Sequence, residues 1–287
     1  MWLSYTLGAT LLYGIMNFIN KIAAERGYRA PVMVAVSAGT IAAGCLLILL
    51  VRQSVPAQTG WLLWFACLNG FFFGSGHLAK LAALRRASAG VVFPLDKMNV
   101  LFVIAIGICF FGDRPTGLQA AGMVLALAVL VLLVRHDAGE RPVTHWPGVA
   151  FALLGAACTA LSMTAGKLAA ERVDKLGYML VSYTLVFGYA LLVARARLPR
   201  GALLAALRNR RQVMTGVLIG VLNGVGYFLV LQAFAGYRMA LIQPVFAMSI
   251  LIPIVLSVWV YHERLSPVRW GAIVLALFAV ILIKAGD

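Results

Sequence analysis

The chain has 287 residues, of which 63% are hydrophobic and 11% charged, with a formal net charge of +15. Soluble domains carry roughly 25% charged residues, and a chain of this size has too much surface for its volume to hide so many apolar side chains, so a soluble globular fold is excluded. Nucleic acid is not the expected partner of the positive charge, because the basic residues fall between apolar runs instead of on one soluble face. That placement is the one expected of topology signals and of contact with anionic membrane lipid.

Crossing a hydrocarbon core of about 30 Å takes about twenty apolar residues at 1.5 Å per residue. In chain order the sequence offers ten such runs: 3–24, 32–51, 61–84, 89–111, 117–134, 146–168, 177–194, 213–235, 239–260 and 267–284. Runs this long and continuous lack the alternation of an outer-membrane barrel, so the expected class is an all-α integral membrane protein of ten transmembrane helices. The first run has no basic residues before it, and its sequence returns mid-chain, so it reads as a span and not a signal peptide. Connections such as 25–31, 52–60, 113–117, 135–147 and 195–212 are read as short loops, with no room for a soluble domain. Cys45, Cys67, Cys109 and Cys158 lie inside apolar runs without metal-ligand or paired spacing, and read as small buried hydrophobes. No metal or cofactor is expected.

The chain repeats itself. The segment from Lys21 to Arg26 returns at Lys167 to Arg172, and Leu68-Asn69-Gly70 returns as Leu222-Asn223-Gly224. Later matches share one offset of 150 residues: Pro94 with Pro244, Asp113-Arg114 with Glu263-Arg264, and 124–127 with 274–277. The expected units are therefore 1–141 and 142–287. Five spans per unit is an odd number, so the second must enter the membrane inverted, as in many secondary transporters whose substrate site lies at the midplane between repeats.

These residues resemble the EamA branch of the drug/metabolite transporter superfamily. The likeness rests on Tyr13-Gly14-Ile15-Met16-Asn17-Phe18 with Lys21, and on a proline followed nineteen residues later by an acid, Pro94 to Asp113 and Pro244 to Glu263. It implies a ten-helix carrier of small metabolites, exporting, importing or exchanging them. Residues 3–24 hold no acid, unlike the first helix of the small multidrug-resistance relatives, which counts against proton-coupled export of cationic drugs.

Within this frame the polar residues of the spans are the candidates for binding a small-molecule substrate. Thr6, Thr10, Tyr13, Asn17, Asn20 and Lys21 share one helical face, which lines a cavity or holds neighbouring helices by hydrogen bonds. Asn69, Phe73, His77 and Lys80 form a similar stripe, where His77 either couples protons or serves packing. Asp96 and Lys97 break the repeat, since Phe246 and Ala247 stand at the matching positions. An ionised side chain deep in a span costs about 2.5–3.5 kcal/mol on insertion scales, which makes such a pair a functional candidate by default. A structural ion pair near the membrane surface is the other reading. Asn99 shares the face of Asp96, and Asn223 and Tyr227 mirror Asn69 and Phe73.

Gating and hinge roles are expected for Lys21 with Glu25, Lys167 with Glu171, Pro94 and Pro244, the prolines because each removes a helical hydrogen bond; anion recognition by the two lysines and simple packing kinks at the two prolines are the other readings. The row Gly216, Gly220, Gly224 reads as a close helix contact. By these spans seven Lys and Arg lie on the side of both termini and sixteen opposite, with Lys97 inside a span and counted on neither, which favours both termini outside; the family resemblance implies both inside. The leading expectation is a secondary transporter of a small polar metabolite in the inner membrane of a bacterium. A flippase or flippase subunit for a lipid-linked headgroup and a non-transporting scaffold are the alternatives, and a homo-oligomer is left open. No span carries a metalloprotease motif or a nucleophile triad, so no enzyme is expected.

Overall fold

The computed structural model describes residues 1–53, 59–84, 86, 92, 95–137, 146–261 and 266–287. Helices account for nearly all of it: α1 Trp2–Glu25, α2 Ala30–Val51, α3 Thr59–Leu84, α4 Asn99–Phe110, α5 Gly117–Asp137, α6 Trp146–Arg172, α7 Lys175–Arg197, α8 Arg200–Arg208, α9 Arg210–Gly236, α10 Met239–Ala247, α11 Leu251–Tyr261 and α12 Pro267–Ala285. Among the described residues six helical stretches are long and apolar enough to cross a membrane: α2, α6, α7, α9, α12 and the run Met239–Val260. Large apolar side chains stand outward on many helices, including Leu50, Phe110, Leu192 and Trp259. In lipid they bear no hydration cost.

Local sequence explains where the helices start and stop. Asp174 accepts from Gly177 N at 2.6 Å and Asn209 accepts from Gln212 N at 3.2 Å, so α7 and α9 begin on side-chain caps. Ser266 caps α12, with Pro267 in its first turn. Gly27 and Gly112 take φ of +68° and +67°, the left-handed conformation that lets the chain turn sharply after α1 and α4.

The structure departs from the sequence reading at several places. Cys67 and Cys109, expected to be buried, are exposed, whereas Cys45 and Cys158 are buried. The ninth run is broken: α10 contains Pro244, and a single 3-10 turn, Met248–Ile250, separates it from α11. The connection 195–212 holds α8, where Leu203, Leu204 and Leu207 lie among small residues between Arg200 and Arg208. From sequence that stretch reads as a loop, because the arginines around it outweigh the short apolar face of a nine-residue helix. Residues 95–97 are helical and Met98 is a turn before α4. Pro94, expected as a hinge, and Glu263 lie outside the described residues.

Helices of the two units pair with one another: α1 with α9, α3 with α6, α2 with α7, α4 with α10 and α5 with α12. A glycine also lets α9 approach α2, a further pair across the units. A Cβ at Gly220 would stand 2.7 Å from Ser37 O, so α9 and α2 touch backbone to backbone there. The core around Tyr178, Tyr227, Leu231, Phe234 and Met239–Ile242 packs between the units, and a second cluster joins α4, α5, α10 and α12.

Candidate functional site

Two cavities follow one face of α1. The inner one, about 180 Å³, is lined by Tyr13 and Met16 of α1, Asn69 and Phe73 of α3, Ser162 and Met163 of α6, Tyr183 of α7, and Asn223 and Tyr227 of α9. Its polar groups are tied to one another. Ser162 Oγ donates to Asn69 Oδ1 at 2.6 Å, the hydroxyls of Tyr178 and Tyr227 lie 3.1 Å apart, and Asn223 bonds the Tyr183 side chain. The Tyr13 ring meets Phe246 edge-on at 4.8 Å. The result is an uncharged pocket of aromatic faces, amides and hydroxyls, chemistry suited to a small polar group with an apolar body.

One turn further along α1, Asn17 and Lys21 enter a second cavity of about 450 Å³. Lys80 of α3 and Asp96 and Lys97 ahead of α4 line it with them, and Arg269 of α12 adds a fourth cation. Lys80 Nζ and Asp96 Oδ2 form an ion pair at 2.6 Å. Lys21 Nζ donates to Ser257 Oγ at 3.2 Å. Ile250, Pro253 and Ile254, around the break between α10 and α11, make an apolar wall.

The end that holds both termini is shut. Lys167 is buried, and its Nζ donates to Phe234 O at 2.5 Å and Tyr237 O at 2.9 Å while pairing with Glu171 at 2.6 Å. An ammonium there caps the carbonyl end of α9. The Trp2 and Tyr237 rings stack at 4.3 Å, and Asp287 accepts from Trp2 Nε1 at 3.0 Å and from the Tyr237 hydroxyl. Asp113, turned inward by Gly112, accepts from Ala240 N at 2.9 Å and so caps α10. Arg238 Nη1 donates to Arg114 O at 2.8 Å. Thr6 and Thr10 lie buried on α1 between this seal and the inner cavity.

The structure thus brings together Tyr13, Asn223 and Tyr227 in one cavity, and Asn17, Lys80, Asp96 and Lys97 in the other. It does not bring in Asn20, which is exposed, or Asn99, whose Oδ1 is buried without a hydrogen-bond partner among the described residues. The side chain of His77 lies outside the described residues. Glu25 is exposed at the end of α1, and Pro244 lies inside α10. No three metal-ligating side chains converge among the described residues. Sequence reasoning missed Ser162, Tyr183, Ser257 and Arg269 as lining residues, and Trp2, Tyr237 and Asp287 as a seal. Small hydroxyls and single aromatics have no periodic signature, although Arg269, one turn inside an apolar run, was an available signal.

The profile of the EamA-like transporter family matches residues 1–135 and 146–285. The chain belongs to that family. It is a multi-pass integral membrane protein of a transporter family. An uncharacterized transporter in the cobO 3' region of Sinorhizobium sp is 33% identical over 81 residues, which cover 28% of this chain and 55% of that one. A probable 4-amino-4-deoxy-L-arabinose-phosphoundecaprenol flippase subunit ArnE of Pseudomonas fluorescens is 32% identical over 79 residues, covering 28% of this chain and 66% of that one. The chain therefore spans between half and two thirds of the length of these curated relatives. A protein solved by crystallography shares the fold, with a TM-score of 0.75 at 17% identity over 98% of this chain and 95% of the other.

Proposed function

We propose that this chain is a secondary transporter that moves a small polar metabolite by alternating access between two inverted five-helix units, 1–141 and 142–287, which together cross a bacterial inner membrane ten times. One observation carries this reading. The polar face of α1 runs from a cavity at one end, through Asn17 and Tyr13, to the inner cavity, while the opposite end is sealed around Lys167.

The helix pairing supports the repeat. Exchanging the units turns the α1–α9 contact into α3–α6, and leaves α2–α7, α4–α10 and α5–α12 as partners of themselves. The two matched stretches of the family profile fall on the same division. The bacterial relatives support the location. The substrate is held by Tyr13, Asn69, Asn223 and Tyr227, and reaches them past Asn17, Lys80, Asp96 and Lys97. Lys167 and Glu171 close one end, and the segment around Pro244 and Met248–Ile250 is the hinge on which the outer wall moves.

The test is counterflow of radiolabelled amino acids, sugars and nucleosides in proteoliposomes, with Asn223→Ala as control. Exchange of a soluble metabolite that Asn223→Ala reduces at least tenfold is the expected result. Exchange of none of them, with translocation of a lipid-linked headgroup instead, would overturn the reading in favour of a flippase subunit. The name of the Pseudomonas relative favours that second reading, as does an apolar groove of about 370 Å³ between α2, α7 and α9 with Arg52 at its edge.

A further inference from the structure

A third cavity, of about 610 Å³, opens between α3 and α6 at the end of the molecule away from both termini. Ser75, Ala79 and Ala82 present to it a face of α3 roughly 130° round the helix from Asn69, Phe73 and Lys80, so it lies off the path proposed for the substrate. Two guanidinium groups frame it: Arg86, just beyond the end of α3, and Arg197, the last residue of α7. Arg86 Nη1 donates to Ala82 O at 3.2 Å, and the guanidinium stands 4.8 Å over the Phe151 ring, which holds it at the cavity with further N–H donors in reserve. No carboxylate stands among the described residues that line this space.

Deeper in, the lining turns apolar with Phe151 and Leu154 of α6. Leu154 and Leu161 are exposed and lie two turns apart on one stripe of α6, a lane leading from the cavity towards the middle of the bilayer. Trp146, exposed at the start of α6, marks the headgroup level at which such rings settle, and Phe151 lies about 8 Å further in. The neighbouring chain is basic as well: residues 195–212 hold six arginines and no acid. Among them α8 lies against α2, α7 and α9, with Leu204 and Leu207 exposed beside an exposed Arg208. Leucines on an outer face next to arginines suit a helix lying in the interface of a membrane that carries anionic lipid.

We infer that the cavity between α3 and α6 is a binding site for an anionic phospholipid of the surrounding bilayer, with its phosphodiester between Arg86 and Arg197 and the first part of an acyl chain over Phe151, Leu154 and Leu161. Guanidinium forks match phosphate oxygens in pairs, and basic pockets between membrane helices are where anionic headgroups bind. A zwitterionic headgroup brings a cation of its own into the same space and loses that advantage. Because α3 belongs to one unit and α6 and α7 to the other, the bound lipid ties the two units together at this end.

The experiment titrates the full-length protein in neutral detergent with short-chain phosphatidylglycerol and, separately, with phosphatidylcholine of the same chains, and follows the thermal midpoint. The expected result is a saturable rise that phosphatidylglycerol produces at a concentration at least tenfold lower than phosphatidylcholine does. That preference should vanish when Arg86→Gln and Arg197→Gln are combined, and persist in Arg172→Gln, an exposed arginine of the opposite end. Arg86 and Arg197 are themselves exposed; if the double variant does not fold, each single variant serves instead, with the phosphatidylglycerol curve displaced at least threefold. Equal responses of the unaltered protein to the two lipids, an undiminished preference in the Arg86 and Arg197 variants, or an equal loss in Arg172→Gln would overturn the inference. So would a response confined to a polyprenyl phosphate, which would make the cavity a cargo site. Solute exchange in phosphatidylcholine vesicles tests transport alone, so either reading can fail without the other.

Discussion

Lys21 and Lys167 occupy matched positions in a repeated segment, yet their ammonium groups sit in different surroundings. Lys167 is 5% exposed and fully engaged at the carbonyl end of α9. Lys21 is exposed at the mouth of a cavity. Nearly the same six residues therefore close one end of the molecule and furnish the other. The difference teaches that the repeat sets which residues are available at each end, while the packing of the partner helices decides whether they seal or bind.

This comparison breaks most visibly at the sealed end. Lys167→Met leaves two carbonyls without their charged donor, and each hydrogen bond to a charged group contributes about 1.5–3 kcal/mol, while the exposed Glu171 is left to solvent. Denaturant unfolding should register that loss, and a cysteine placed at Thr6, buried on the same side, should become reactive to maleimide. Next in size is the contact of α9 with α2. Gly220→Ala puts a methyl 2.7 Å from Ser37 O, and forcing such an overlap costs about 1–3 kcal/mol, read as a lower thermal midpoint.

The inner cavity is less sensitive. Tyr227→Phe removes one side of the hydroxyl pair with Tyr178, for a loss of about 1 kcal/mol and weaker substrate binding in calorimetry. The smallest expected effect sharpens the contrast: Lys21→Gln should change stability by no more than about 0.5 kcal/mol, although its match at Lys167 is the largest of the series.

Much of the fold was legible in the sequence, because lipid demands long apolar helices and apolar runs are easy to see. The six helical stretches long and apolar enough to span follow from that demand, the family showed in the residues around Tyr13 and in the proline-to-acid spacings, and the packing role of Gly220 showed in the four-residue glycine spacing. Positions where the backbone departs from a straight helix were harder. The break at Met248–Ile250 follows Pro244 by a turn and has no residue signature of its own, and α8 hid its apolar face among arginines. The candidate site was legible where polarity recurs at helical spacing, as at Tyr13, Asn17 and Lys21, or where charge interrupts an apolar run, as at Asp96 and Lys97. It was illegible where single side chains from distant segments converge. Nothing in the spacing of Ser162, Tyr183 or Ser257 marks them, and Asp113 reads as a loop acid until Gly112 turns it onto Ala240 N.

The central claim is that one path through the molecule opens at alternate ends. It is tested most directly with single cysteines at Asn17 and Thr10, in protein whose own Cys45, Cys67, Cys109 and Cys158 are replaced by serine, reconstituted in vesicles and exposed to a membrane-impermeant maleimide from either side. The account predicts that Asn17→Cys reacts quickly from one side, and that Thr10→Cys reacts more slowly and from the opposite side. Labelling of both from the same side, or no labelling of Thr10→Cys from either, would contradict it.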